Sequence, residues 1–367
     1  MTVRKLIRLN FGRSPTHFGE VGIGLEQTSE RVRSDTLFSA WVSVYARIFG
    51  NDGITALLQS FQDNPGQPPF RLSSTFIYRR NSKDFVDYLP KPVEPPVGYP
   101  EVDLPIAKTY RKLNYLPLSV WRRWYQGSGL DTEDEQELIH YAQVPKVRSG
   151  RLGQAGTFDY TQAFKPYELP KVSIDRTTRA TNFYHTGLVQ FAWEPSNGNG
   201  TTATVHNQAG LYFLLEFPQA SPTLEADLHM ALELLGEEGI GGERSSGAGR
   251  FEILTWADLP ADWQAAVNFD QGNRHSLISL FWDKTVTPDW LGDQACYTLQ
   301  ERGGWISSPS GRQLRRKMVR MFAEGSVFAE VPRGQLADVT PSGFTQHSVY
   351  RNGIALSLPV RLKEAAA

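Results

Sequence analysis

The segment GEEGIGGERSSGAGRFE, residues 236–252, carries six glycines in its first fourteen residues. An apolar helical pattern leads into it and a strand-like FEIL leads out. What this loop is not narrows the fold. A Walker A loop requires GxxxxGK[ST]; the nearest match, GERSSGAG at 242–249, places Ala248 where a lysine must reach the phosphates. A dinucleotide loop leaves a strand and enters a helix, and here the order is reversed. Both mismatches argue against a nucleotide-binding α/β fold. What remains is a loop of small residues bearing Arg244, Ser245, Ser246 and Arg250. Missing Cβ atoms at Gly239, Gly241, Gly242, Gly247 and Gly249 would let a sugar-phosphate chain approach the main chain. Amides, hydroxyls and guanidinium groups would then donate to phosphate oxygens. The competing reading is a tight surface turn, and Glu237, Glu238 and Glu243 weigh against a strong phosphate trap.

Upstream of the loop, SPTLEADLHMALELLG reads as a helix, with Ser221 at the cap and Pro222 in the first turn. Leu224, Leu228, Ala231, Leu232 and Leu235 form its apolar stripe. GLYFLLEF (210–217) is apolar enough for a buried strand, and SNGNG (196–200) before it has turn chemistry. At the N-terminus, Val3, Ile7, Leu9 and Phe11 share one face of a strand whose other face carries Arg4 and Arg8. A first glycine-rich loop, GRSPTHFGEVGIG, leads to SDTLFSAWVSVYARIFG, a helix capped by Ser34 or Asp35 and ended by Gly50. FRLSSTFIYRR (70–80) and DFVDYLP (84–90) read as a pair of strands, residues 107–126 as a basic helix, and 132–142 as an acidic, solvated one. KVRSGRLGQAGTFDY (146–160) has no core pattern and reads as a projecting hairpin or a loop. KVSIDRTT, LVQFAWE (188–194), HSLISLFW (275–282) and the alternating tail RNGIALSLPV add further strands. The expected architecture is α+β, two similar halves built on split βαβ units.

Length and composition bound the rest. A chain of 367 residues suits two domains at roughly 150 residues each. A net charge of −1 supplies no global field for polyanions, so any nucleic-acid binding has to come from local patches. Cys296 is the single cysteine, which excludes an internal disulfide and any cysteine-based cluster and fits a cytoplasmic setting. The seven histidines show no metal-binding spacing, so no metal or cofactor is expected. The longest apolar run, LFSAWVSVYARIF, falls short of the ~20 residues a membrane span needs, and the basic N-terminus lacks the apolar region of a signal peptide.

GIGGERSSGAGRF resembles the glycine-rich loop of the RAMP superfamily, the RRM-like proteins of CRISPR effector complexes. THFGEVGIGLEQTSERVRSDTLFSAW resembles the first loop and helix of the subunit, fourth of its series, that caps the crRNA 5′ handle in type III-A (Csm) complexes. FRLSSTFIYRR with YLPKP, then VSIDRTTRA, EGSVF (324–328) and HSVYRNGIALSLPV continue that pattern in order over most of the chain. The resemblance implies two ferredoxin-like (RRM-like) domains in tandem, with long loop insertions. Their expected extents are 1–165, with inserted loops and a hairpin, and 166–367, carrying the glycine-rich loop. It implies a non-catalytic subunit that binds the 5′ handle, contacts the large polymerase-like subunit and the backbone RAMP subunit, and meets target RNA near the handle through a hairpin that wedges the duplex. Residues 146–160 are the sequence candidate for that hairpin. The equivalent subunit of a type III-B or III-D complex is the near relative.

On that reading the RNA-contacting set is Gly239, Gly241, Gly242, Arg244, Ser245, Ser246, Gly247, Gly249 and Arg250, with His17 and Arg33 added from the first loop. Phe18 is a stacking candidate whose ordinary alternative is the core. GRQLRRKMVR (311–320) has five basic residues and reads more simply as a solvated face. The enzymatic alternative is a metal-independent endoribonuclease, with His17 and either His185 or Tyr184 as an acid–base pair.

Overall fold

The structure, a computed structural model, describes residues 2–19, 24–81, 84–100, 104–144, 149–195, 205–292, 294–306 and 314–363. In chain order, β1 (Val3–Asn10) leads to α1 (Ser34–Asp63), then to β2 (Arg71–Leu72), β3 (Phe76–Asn81) and β4 (Asp84–Pro90). Next come α2 (Leu104–Lys112), β5 (Tyr115–Pro117), α3 (Leu118–Tyr125), α4 (Thr132–Gln143) and α5 (Arg151–Gln154). A long hairpin of β6 (Phe164–Ile174) and β7 (Thr181–Phe191) precedes β8 (Trp193–Pro195), β9 (Val205–Phe217), α6 (Pro222–Glu238), β10 (Glu252–Asp258) and α7 (Ala261–Val267). The C-terminal part holds β11 (Arg274–Leu277), α8 (Pro288–Leu291), β12 (Leu299–Arg302), β13 (Val319–Phe322), β14 (Val327–Phe328), β15 (Leu336–Asp338), β16 (Tyr350–Asn352) and β17 (Ser357–Val360).

The central sheet runs β10-β1-β9-β3-β4-β5, with β2 and β8 also paired to β9. Every pairing in it is antiparallel. The apolar density of 210–217 has its cause here: β9 lies between β1 and β3, and Leu211 to Leu215 are buried. The expected boundary at 165/166 runs through this sheet. β9 and β10 pair with β1, so α6 and the glycine-rich loop belong to the same sheet as the N-terminal strand. The C-terminal part carries a separate three-stranded sheet, β14-β11-β17.

α1 and α6 cover one face of the sheet, with Trp41 stacked edge-on to Phe213 and Trp256. α1 breaks at Gly50, which takes φ 71°, and a second helical run continues to Asp63. Neither Ser34 nor Asp35 caps the helix. Arg33 holds the cap position, Ser34 Oγ accepts the Leu280 amide at 2.9 Å, and Asp35 is taken by Arg302 (2.9 Å) and Arg351. Glu324 is held in a similar way by Arg31 (3.0 Å), Arg33 and the Ser74 hydroxyl. The second face of β1 is covered as well: Arg8 is 6% exposed and makes a bidentate pair with Asp87, which also accepts from Trp263.

Other expectations changed on contact with the fold. Residues 107–126 are two helices interrupted by β5. The acidic helix α4 is solvated except at Leu138, which enters the core, and Asp134, which is buried against Arg123 and Trp124. Residues 146–148, 196–200 and 311–313 lie outside the described residues. The described part of 146–160 is α5 and turns, with Leu152 and Phe158 buried, so it is not a projecting hairpin. No helix among the described residues is long and apolar enough to cross a membrane.

Candidate nucleic-acid interface

Three segments meet where β1 ends and β10 begins: the first loop, the glycine-rich loop and the root of the β6–β7 hairpin. Thr16 and Val189 exchange main-chain hydrogen bonds at 2.8 Å, which ties the first loop to β7. His17 Nδ1 donates to the Gly187 carbonyl at 2.7 Å, since a carbonyl can only accept. The glycine-rich loop is pinned by Gly242 N to His17 O (2.9 Å), Gly249 N to Pro15 O (2.8 Å) and Ser14 Oγ to Gly247 O (3.1 Å). Lys171 of β6 pairs with Glu243 of the loop.

The glycines have two distinct jobs. A Cβ on Gly241 would sit 2.3 Å from His17 O, and one on Gly242 2.6 Å from the His17 ring. At Gly239 and Gly249 it would meet Ala248 O at 2.6 Å and Ile240 O at 2.1 Å. At these four positions the vacated space is filled by the protein's own main chain or by His17. Gly247, at φ +84°, has nothing within 4 Å of an added Cβ. It ends a single 3-10 turn, Arg244–Ser246, whose three side chains are exposed. Arg250 is exposed on the far side of the turn, and neither its side chain nor that of Arg244 makes a hydrogen bond or a close ion pair among the described residues.

Of the loop's acids, Glu238 is bound by Arg47 (2.5 Å), a bond that holds its carboxyl below the usual range, with Arg47 and Arg244 charge adding to the effect. Glu243 is bound by Lys171. Glu237 alone of the three is left facing solvent unpaired among the described residues. The acids that weigh against anion binding are therefore largely neutralised within the protein.

His17 is 6% exposed, and Phe18, at 5%, packs edge-on against Phe11 in the core. Arg33 faces Glu324 at the start of α1, away from the turn at 244–246. His185 lies on the opposite hairpin face from Tyr184, as alternation requires, and meets the Phe183 ring edge-on. Of the basic run at 311–320, Arg315 lies over Trp305 at 5.4 Å and Arg320 pairs with Glu301, so this part faces solvent.

Sequence reasoning missed Arg13, exposed in the first loop with its guanidinium 4.7 Å above the Trp193 ring. It also missed the length of the hairpin, in which every residue of β6 has a partner in β7. Outward from the root both faces are exposed, and Val172 at 53%, Ile174 at 62% and Phe183 at 61% share one of them. Arg176 and Arg179 occupy the tip, where Asp175 accepts the Thr177 and Thr178 amides.

The family model described as "CRISPR Csm4 C-terminal domain" matches residues 270–360. The chain is 22% identical to the CRISPR system protein Csm4 of Methanocaldococcus jannaschii, over 95% of this chain and 96% of that one. It is 26% identical to Csm4 of Thermococcus onnurineus (90% and 92% covered) and 28% identical to Csm4 of Mycobacterium tuberculosis (99% of each). In fold it is similar to a chain in the crystal structure of a Csm3–Csm4 subcomplex, with TM-score 0.60, 17% identity, and 97% and 99% covered. A chain in the crystal structure of a Csm1–Csm4 cassette gives TM-score 0.52 at 16% identity, with both chains fully covered. With the C-terminal domain match and relatives aligned along nearly its whole length, this chain is similar to the Csm4 proteins of CRISPR systems.

Proposed function

We propose that, as a subunit of a type III CRISPR effector complex, this chain holds the repeat-derived 5′ handle of the crRNA across the glycine-rich loop. The observation that carries the reading is the 244–250 turn. It presents two guanidinium groups, two hydroxyls and an open αL glycine, on a loop clamped from beneath by the first loop. Clamping matters because a pre-ordered donor set loses little entropy on binding. Phosphates along a single strand take contacts of this kind, and Arg13 on Trp193 extends the basic edge.

The order of the central sheet supports a ferredoxin-like first domain. With β1, β3, β9 and β10 as its four strands and α1 and α6 as its two helices, the spatial order 4-1-3-2 is that of a split βαβ pair. For a second such domain the support is the smaller β14-β11-β17 sheet. Solved relatives in Csm3–Csm4 and Csm1–Csm4 assemblies support contacts of this chain with a backbone RAMP subunit and a large polymerase-like subunit. The β6–β7 hairpin, with apolar side chains far from the body, is the element suited to reach target RNA beside the handle.

The chain binds without cutting. A general acid–base pair needs two groups within reach of one phosphate. His17 spends Nδ1 on Gly187 beneath the loop, while His185 packs on Phe183. Filter binding of handle RNA over a salt series tests the proposal. Arg244→Ala and Arg250→Ala should each weaken binding and reduce the log–log salt slope by ~0.7. Unchanged slope and affinity in both variants would remove the turn from the interface. RNA cleavage in chelator that His17→Ala abolishes would establish the enzymatic reading instead.

A further inference from the structure

At the opposite end of β1 from the glycine-rich loop, an open cleft of about 610 Å³ lies between the turn after α1 and the segment at 331–333. Asn64, Gly66, Gln67, Arg71, Val331 and Arg333 line it. Arg71 enters from β2, opposite Glu216 of β9. Its Nη2 donates to the Gly66 carbonyl at 2.9 Å, while Nε is buried and has no hydrogen-bond partner. The nearest carboxylate oxygen, on Glu216, is 3.8 Å away, too far for a hydrogen bond, and Glu216 is already engaged by Arg4 at 2.7 Å.

Arg333 approaches from the other wall. It is exposed, its side chain makes no hydrogen bond or ion pair among the described residues, and Nη1 would come within 3.7 Å of a Cβ on Gly66. Two like-charged guanidinium groups therefore flank one solvent-open space, and the one carboxylate beside Arg71, on Glu216, is engaged by Arg4. Burial, partly offset by Glu216 and reinforced by Arg333, holds Arg71 below its ordinary range.

We propose that this cleft is a phosphate site, taking a phosphate monoester or pyrophosphate group between Arg71 and Arg333. A guanidinium fork matches oxyanion geometry, and a doubly charged tetrahedral group has enough acceptors for two forks and the Asn64 and Gln67 amides. A carboxylate has fewer, and one is already present without satisfying Arg71 Nε. The adjoining cavity, about 490 Å³, shares Val331 and Arg333 but presents Asp283 and Glu330. Gln335 and Thr285 hold Asp283, and Trp290 holds Glu330. These acids confine an anion to the Arg71 end.

Calorimetric titration of the full chain with pyrophosphate tests this. Saturable binding is expected, weakened about ten-fold in Arg333→Ala, which changes only an exposed side chain. Glu216→Gln, which removes the competing carboxylate, should tighten it. Competition separates the sources. Displacement by AMP but not by 5′-phosphorylated RNA assigns the site to a free nucleotide phosphate; displacement by 5′-phosphorylated but not 5′-hydroxyl RNA assigns it to an RNA terminus. Absence of saturable binding, or binding indifferent to Arg333→Ala, overturns the proposal. Binding lost in Arg244→Ala and Arg250→Ala but kept in Arg333→Ala would place the phosphate at the glycine-rich loop and overturn it as well.

Discussion

Asp35 and Glu324 are carboxylates fully removed from water, each held by two guanidinium groups reaching across distant parts of the chain. A buried pair is a weak net stabiliser, but removing one member leaves the other charge buried and uncompensated. Around Asp35 the surplus is positive: Arg316 lies beside Arg302 and Arg351, and burial followed by Arg351 brings its guanidinium down to about 10. Asp35→Asn should therefore cost ~3–5 kcal/mol in urea denaturation. The pH dependence has a definite sign. Burial alone would raise both carboxyls, but the arginines outweigh it, holding Asp35 at about 2 and Glu324 well below its usual range. In the unfolded chain the same groups titrate near ~3.9 and ~4.3. A depressed native value means the contribution is complete above the unfolded value and disappears as pH falls toward the native one. Stability should drop steeply from about pH 4.5 downward, and the drop should be shallower in Asp35→Asn. Identical slopes for the two proteins would show that Asp35 is not among the groups responsible.

At the scale of elements, the glycine-rich loop separates two kinds of glycine that look alike in sequence. Gly247→Ala puts a Cβ into open space at φ +84°, so its cost is the left-handed strain alone, ~1–2 kcal/mol. Gly249→Ala adds to that strain a contact of 2.1 Å with Ile240 O, and the backbone has to move. Thermal melts should rank Gly249→Ala as the more damaging by at least ~2 kcal/mol. Equal melting temperatures would mean that the loop relaxes freely and is not clamped. The same elements show what the sequence made legible. Helical spacing from Leu37 to Ile48 and from Leu224 to Leu235 located α1 and α6, because each buries one face. Parts of the β6–β7 hairpin read as strands, but its length escaped, because its outer half is exposed on both faces and has no alternation to read. Ser34 and Asp35 have the chemistry of caps but serve Leu280 and two arginines more than 240 residues away, and no local pattern encodes that. In the site, the turn at 244–250 was legible from side-chain chemistry. That four of its glycines serve internal packing depends on where Pro15 and His17 lie, which only the fold specifies.

At the scale of the molecule, the C-terminal part is a separate sheet with small apolar clusters of its own, around Leu277, Leu280 and Ile306, but it also shares the main core. Ile278, Val327, Ile354, Leu356, Leu358, Val360 and Leu362 belong to the same apolar cluster as Trp41, Tyr212 and Trp121. The joint is also polar: Ser74 N donates to Ile278 O at 2.9 Å, Arg361 N to Tyr125 O at 2.7 Å, and Gln126 bridges Ala266 O and Pro359 O. With Asp35 and Glu324 each closing on arginines, the start of α1 is completed by residues beyond 270. A fragment ending at 269 would expose that apolar surface and leave Arg31 and Arg33 without their buried carboxylate. The full chain should therefore melt in a single transition, with coincident fluorescence and far-UV dichroism curves, while the 1–269 fragment should show no cooperative melt. Two resolved transitions in the full chain, or a fragment melting within a few degrees of it, would mean that the central sheet folds alone. In that case the C-terminal part would be an appendage docked on the sheet, and the buried carboxylates would contribute to docking rather than to folding.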